Sequence, residues 1–362
     1  MPTASNITSR RRKAGAEPGL ALLLFVATLL PAGAAAAPAG AGACPTPLSV
    51  LKAGEPRPSC SRGTRAHGRL LHGASLPDAG CGFRRIFAHR DERYGTDEII
   101  SALSRAGARL AGGAFKSTLP GGGNPLLGVG NISPPPRLRM EKDPFVGKRF
   151  SVSHTSGRAA DLAYFILDRR GRPAQSFETG IGYRGSGLNA SGYRRYFLPA
   201  GSTNGPRPQR GCQMAAAFFG LNKWKCFIAE GSYRFDDERN WALVRALLLD
   251  PEIGVVDAQT GRVRPRDEGI RRMLISSPLR ARLLAQARRT GTPSPLVDLA
   301  AAVLKQPGNA SPHDDHLHVD LNCAPGDIEQ CGCVNSGIPP RPHVGERIPL
   351  HPEEGRQITR IP

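Results

Sequence analysis

The chain has 362 residues, 40% of them hydrophobic and 22% charged, a balance that supports a packed core and excludes global disorder. Aromatic residues are sparse at 6%, whereas 43 Gly and 33 Pro predict an α+β globule with long irregular connections. The formal net charge of +19 suits a polyanionic partner or reflects an arginine-rich composition, and without a nucleic-acid-binding motif nucleic acid is set aside.

The N-terminus reads as an export signal. Basic residues Arg10 to Lys13 precede the apolar run Leu20 to Leu30, and small residues follow from Ala32 to Gly42. The run is too short to favour a membrane span, so residues 1–37 are expected to be a removable signal peptide with no stable membrane insertion afterwards. Arg10–Arg11 hints at twin-arginine export, and Cys44 is a less favoured lipid attachment point. Export places eight cysteines (Cys44, Cys60, Cys81, Cys212, Cys226, Cys323, Cys331 and Cys333) in an oxidising compartment, where disulfides persist. No paired C-x-x-C knuckle suggests a zinc ribbon. Cys331 and Cys333 are too close to pair with each other, and the spacing of Cys323 and Cys331 suits a short local loop.

Residues 38–66 are expected to be a loose entry segment. Thr96-Asp97-Glu98 opens a helix through Leu110, with acids in its first turn and Gly112-Gly113 at its end. Leu119 to Arg137 is rich in Gly and Pro and predicts a long surface loop. Leu162 to Leu167 is a short apolar run stopped by Asp168-Arg169-Arg170-Gly171, a pattern for a buried strand and turn. Residues 171–235 read as an irregular insertion. Asp236 and Asp237 precede a predicted helix through Asp250, further helices are predicted at Pro278 to Arg289 and Pro295 to Lys305, and strands at Met273 to Ile275 and His316 to Leu321. The Pro-rich tail, residues 336–362, is expected to be extended and dispensable.

The histidines carry the chemistry. In His316-Leu317-His318-Val319-Asp320-Leu321 polar and apolar residues alternate, so a strand puts His316, His318 and Asp320 on one face. Two imidazoles facing one way can serve one metal site, one as ligand and the other as acid or base; the bland alternative is a surface cluster. Asp314 and Asp315 read as a solvated turn before this strand, the less favoured option being hydrogen-bond partners of the histidines. Further upstream, His154 and Asp161 stand seven residues apart across a Ser-Gly turn. Two histidines and one carboxylate, with a fourth position left to water, make a catalytic zinc set.

These motifs, H-x6-D at His154 and Asp161 and H-x-H at His316 and His318, resemble the LAS group of zinc metallopeptidases. His313, three residues before the H-x-H, extends the resemblance to the penicillin-insensitive murein endopeptidases, as do Gly73-Ala74-Ser75-Leu76-Pro77, the neighbourhood of Tyr94, and Cys323 with the Cys eight residues on. The likeness spans residues 67–335. It implies a catalytic domain of that extent, with a small antiparallel sheet carrying the zinc site among helices and long loops. It further implies His154, Asp161 and His318 as zinc ligands, His316 and His313 as the catalytic residues, and murein (peptidoglycan) as substrate in the periplasm. Ala159 stands where such proteins commonly carry Asp, which is expected to loosen support of the site. Asp320 replaces a frequent basic residue, which is expected to alter substrate charge preference. A serine enzyme is disfavoured, because no G-x-S-x-G or S-x-x-K arrangement is placed to act. Alternatives are a D,D- or L,D-carboxypeptidase with the same zinc set and an inactive murein-binding protein. The residues carry no signal of oligomeric state.

Overall fold

Short buried strands, brought together from distant parts of the sequence, dominate the fold. The computed structural model describes residues 59–64, 67–88, 90–136, 154–176, 233–306, 313–337 and 339–350, all within the unit Ala43–Pro362. The expected signal peptide, most of the entry segment, and Cys44, Cys212 and Cys226 lie outside the described residues.

In chain order the first strands are β1 (Cys60–Arg62), β2 (Arg69–His72), β3 (Ala74–Ser75), β4 (Ala79–Gly80), β5 (Phe83–Arg85) and β6 (Tyr94–Gly95). Helix α1 (Asp97–Ala111) follows, then β7 (Leu127–Val129), β8 (Ala159–Ala163), β9 (Ile166–Asp168) and β10 (Pro173–Ala174). The second half comprises β11 (Tyr233–Phe235), α2 (Asp237–Leu248), β12 (Ile270–Leu274), α3 (Ser277–Arg289), α4 (Ser294–Val303), β13 (Leu304–Lys305) and β14 (His316–Leu321). A single π-helical turn, Asp327–Cys331, comes after β14.

The helices begin where local chemistry supports them. Asp236 caps α2 by accepting from the Arg239 backbone N–H, and Pro278 and Pro295 sit in the first turns of α3 and α4, where no intrahelical donor is needed. Acidic residues in the first turns of α1 and α2, and Arg288 and Arg289 in the last turn of α3, complement the helix dipoles.

The principal sheet is larger than expected and mixed, not small and antiparallel. Its seven strands run in the order β13-β12-β14-β8-β7-β5-β4. β5 pairs with β7 in parallel, and β12 with β13 likewise, while the other neighbours are antiparallel. Parallel neighbours need a long crossover: α1 lies between β5 and β7 in sequence, and α3 with α4 between β12 and β13. The strands that enlarge the sheet are two or three residues long, too short to show a period. One of them, β7, is fully buried inside the stretch expected to be a surface loop; only the earlier part of that stretch, around Gly121 to Gly123, is exposed.

The apolar run 162–167 does not continue as one strand. It breaks at Tyr164 and Phe165 because Asn240 on α2 takes both backbone groups of Phe165: its Oδ1 accepts from Phe165 N (2.9 Å) and its Nδ2 donates to Phe165 O (2.8 Å). β9 then forms a separate three-stranded sheet with β10 and β11. The segment expected to be irregular throughout therefore begins and ends as strands.

Two disulfides tie the ends of the fold. Cys60 joins Cys331, and Cys323 joins Cys333, so the expected local Cys323–Cys331 loop is not formed. β1, in the expected loose segment, pairs with β2 and is anchored through Cys60. The tail is also held. Arg341 donates to the carbonyls of Arg264, Glu268 and Ile270, and Ile348 is buried with its N–H on Gly261 O.

Cys60 and Cys331 are separated by 271 residues, so their bond constrains a very long loop of the unfolded chain. Replacing both by Ala should cost about 2–5 kcal/mol in denaturant unfolding. A loss under about 1 kcal/mol would show that the bond adds little beyond β1–β2 pairing.

Candidate metal centre

The site is built on the two central strands of the principal sheet. In the antiparallel pairing of β8 with β14, Asp161 lies directly opposite His318, and Ala159 opposite Asp320. Directly opposed residues project to the same face of a sheet. The β14 alternation therefore does what its pattern predicts, but both faces of the strand are buried. Its polar face can be covered because the side chains there satisfy one another.

His154 reaches this face from the turn before β8. Gly157 makes the return at φ 71°, where a side chain would be strained and a Cβ would meet Leu70 Cδ1 at 2.7 Å. Its carbonyl accepts from Thr96 N at the start of α1 (2.9 Å), which fixes the turn against the helix. The result places His154 Nε2 3.1 Å from Asp161 Oδ2. On the other oxygen, His318 Nδ1 lies 2.7 Å from Asp161 Oδ1. The donor atoms of His154, Asp161 and His318 fall within 4.8 Å of one another, and all three residues are buried. His313, His316 and His318 form a second, overlapping group by the same measure.

The first group fits a metal ion on the chemistry of its donors. His154 Nδ1 is 2.8 Å from the carbonyl of Ile132, which can only accept, so Nδ1 carries the proton and Nε2 offers its lone pair toward Asp161. His318 Nε2 is 3.0 Å from Asp320 Oδ1, so that nitrogen keeps its proton as a donor, and Nδ1, facing Asp161, is the atom that can turn a lone pair to an ion once it gives up its own proton. Two imidazole nitrogens and a carboxylate converge, each imidazole held from behind by an acceptor. That is how histidine ligands are oriented in metal sites. Buried His/Asp groups of this kind can hold a metal ion.

Several supporting groups surround these donors. Asp320 is fully buried and bridges His318 to Arg272, whose Nε is 2.6 Å from Asp320 Oδ2. It stands across from Ala159, with one oxygen on His318 and the other on Arg272. Asp314 and Asp315 are buried too, not solvated as expected; Asp315 Oδ1 is 2.7 Å from His316 Nδ1. His316 Nε2 then lies 3.5 Å from Asp161 Oδ1. His313 has φ 52°, a sparsely populated conformation for a residue other than Gly. Its carbonyl is held by Tyr164 OH (2.9 Å) and Ser276 N (3.1 Å), and its ring centroid is 4.8 Å from that of His316. Asp320 was visible on the His318 face of the strand pattern, whereas nothing in the sequence marks the Ile132 carbonyl.

The electrostatics match this layout in the metal-free protein. Burial opposes the charged form of His318, but Asp320 and Asp161 outweigh it and raise its pKa from 6.5 to about 9. His316 is also raised: burial again opposes the charge, and Asp315 and Asp161 overcome it. For Asp161, burial works against ionisation, yet His154 and His316 hold its carboxyl well below the usual range.

A raised histidine pKa adds stability below the unfolded value and loses it as pH rises through the folded one. Metal-free protein should therefore lose thermal stability as pH climbs from 6.5 to about 9. A metal must displace the His318 Nδ1 proton, so its uptake at pH 7 should release a proton, measurable by titration calorimetry in buffers of different ionisation heat. Asp320→Asn should weaken metal binding by ~10–100-fold; unchanged affinity would remove Asp320 from this role. No protein-family model and no curated protein matches the chain, so the donor geometry itself carries the chemistry.

Proposed function

We propose that the protein is an exported zinc-dependent peptidase that hydrolyses the D-Ala–diamino acid cross-links of peptidoglycan. The observation that carries this reading is the convergence of His154, Asp161 and His318 beside a further, independently oriented imidazole, His316. A closed structural site has no use for that fourth group, whereas a hydrolytic one does. The His154/Asp161 and His313–His318 motifs, which resemble those of murein endopeptidases, supply the substrate class. Disulfides suit an oxidising compartment, and the net charge of +19 suits an anionic wall polymer.

His154 Nε2, Asp161 and His318 Nδ1 would hold the zinc ion. When bound, zinc supplies Lewis acidity, lowering the pKa of a water toward ~7 and polarising a carbonyl. The chain's own groups handle the proton. Asp315 keeps the proton of His316 on Nδ1, so Nε2 is the atom that takes a proton from the attacking water and passes it to the departing amine. His313, with its backbone pinned by Tyr164 and Ser276, presents its ring beside His316, where it can steady the charge developing on the substrate oxygen.

The purified protein should contain about one zinc per chain. His318→Ala and Asp161→Ala should lose both zinc and activity, and His316→Ala should keep most of its zinc while losing at least ~100-fold in rate. An empty site in His316→Ala with a full one in His318→Ala would reverse these roles. Mass analysis of digested murein should show cross-linked dimers converted to monomers, blocked by chelator and unaffected by penicillin. Release of terminal D-Ala alone from uncross-linked stems would make it a carboxypeptidase, and zinc-loaded protein that alters neither substrate would be a binding protein.

A further inference from the structure

Strand β12 departs from regular pairing beside the metal centre. Ile270 lies opposite Leu321 of β14, but Arg272 lies opposite Asp320, so Arg271 is an extra residue on β12. Such a bulge re-aims the side chains that follow it. Regular pairing from Ile270 would set Arg271 against Asp320 and Arg272 against Val319. With the bulge, Arg272 shares a face with Asp320, and Met273 stands opposite Val319. Arg271 turns instead to the chain beyond Cys333, where its Nη2 donates to Ser336 O (2.5 Å) and Gly337 O (2.8 Å).

The consequence is a relay that ends on a metal donor. Arg272 Nε donates to Asp320 Oδ2 (2.6 Å), and Asp320 Oδ1 accepts from His318 Nε2 (3.0 Å). The Asp320 side chain has no exposed surface, whereas that of Arg272 is 25% exposed. A carboxylate so buried needs a paired cation and filled lone pairs, and Arg272 serves both needs. It also removes a freedom: with Oδ2 anchored, the carboxyl group resists turning about its own bond, and Oδ1 stays on His318. β12 offers His318 no other polar hold, because the residue directly opposite it is the buried, apolar Leu274.

We propose that Arg272, aimed by the bulge at Arg271, is a positioning residue of the metal centre: it fixes Asp320, and through Asp320 the His318 ring that presents Nδ1 to Asp161. A histidine ligand can swing about its side-chain bonds unless its outer nitrogen is held, so the group that fixes the holding acceptor contributes to metal affinity at one remove. This role presumes the His154–Asp161–His318 metal site and is independent of which bond the protein cleaves.

Zinc titration of the full-length protein against a competing chelator tests it, alongside proton NMR of the His318 ring. Arg272→Met should weaken zinc binding about tenfold or more, whereas Arg271→Met, which removes a charge from the same strand, should leave it within about twofold. Zinc affinity in the double variant Arg272→Met/Asp320→Asn should equal that of Asp320→Asn alone, because Arg272 acts through that carboxylate. The double variant leaves no buried charge unpaired, which guards against a folding defect in Arg272→Met. In metal-free protein the His318 Nε2 proton should exchange with solvent at least about tenfold faster in Arg272→Met than in the wild type. Equal losses in Arg271→Met and Arg272→Met, additive losses in the double variant, or an unchanged Nε2 proton in folded Arg272→Met would each overturn the proposal alone. A wild type that binds no zinc would overturn the metal site and the proposal together.

Discussion

The register between β8 and β14 is the constraint on which the site depends. Asp161 faces His318 only because these strands pair with that alignment, and a slip of one residue would turn Asp161 to the opposite face. Both strands are buried, so the register is enforced twice. Leu162, Leu317 and Val319 require apolar surroundings, and the carboxylate and imidazoles require each other. Breaking either set would leave ionisable groups in the core without partners. The same contacts that stabilise the strand pair therefore assemble the donor set.

Each functional side chain is held from a different part of the chain. His154 leans on the Ile132 carbonyl after β7, His318 on Asp320 and through it on Arg272 of β12, and His316 on Asp315. Asn240 of α2 shapes the corner at Phe165, next to the Tyr164 whose hydroxyl secures His313. These links explain why a two-strand hairpin would not suffice. The wider sheet and its helices supply the acceptors that choose each imidazole's tautomer, and the tautomer decides which nitrogen can meet a metal or a proton. The pairing of Ala159 with Asp320 shows the same logic at one position: Asp320 supports His318 from β14 itself, opposite an alanine on β8.

The parts of this arrangement visible in the sequence are those with a local period or spacing. The alternation of His316 to Leu321, the Ser-Gly return between His154 and Asp161, and the four helices all have short-range causes, and the structure contains them. What stayed hidden is long-range. β7 and β13 are too short to show a period, and β7 lies in a stretch whose Gly and Pro content reads as loop. The Cys60–Cys331 bond joins residues from opposite ends of the fold, which spacing cannot reveal. Asp314 and Asp315 both read as turn residues and both are buried, and the contact of Asp315 with His316 is a matter of geometry that the sequence does not show. The tail looked dispensable by composition, yet Arg341 crosses back to cap carbonyls along the approach to β12.

One ion is expected to bind between His154 Nε2, Asp161 and His318 Nδ1. Anomalous diffraction at the zinc absorption edge, on crystals of protein loaded with one equivalent of zinc, tests it most directly. A single strong peak is expected about 2 Å from those three donor atoms, with His318 Nε2 still turned to Asp320 and His316 outside bonding distance. A peak bonded instead by His313 and His316, or no ordered peak at this face of β14, would contradict it.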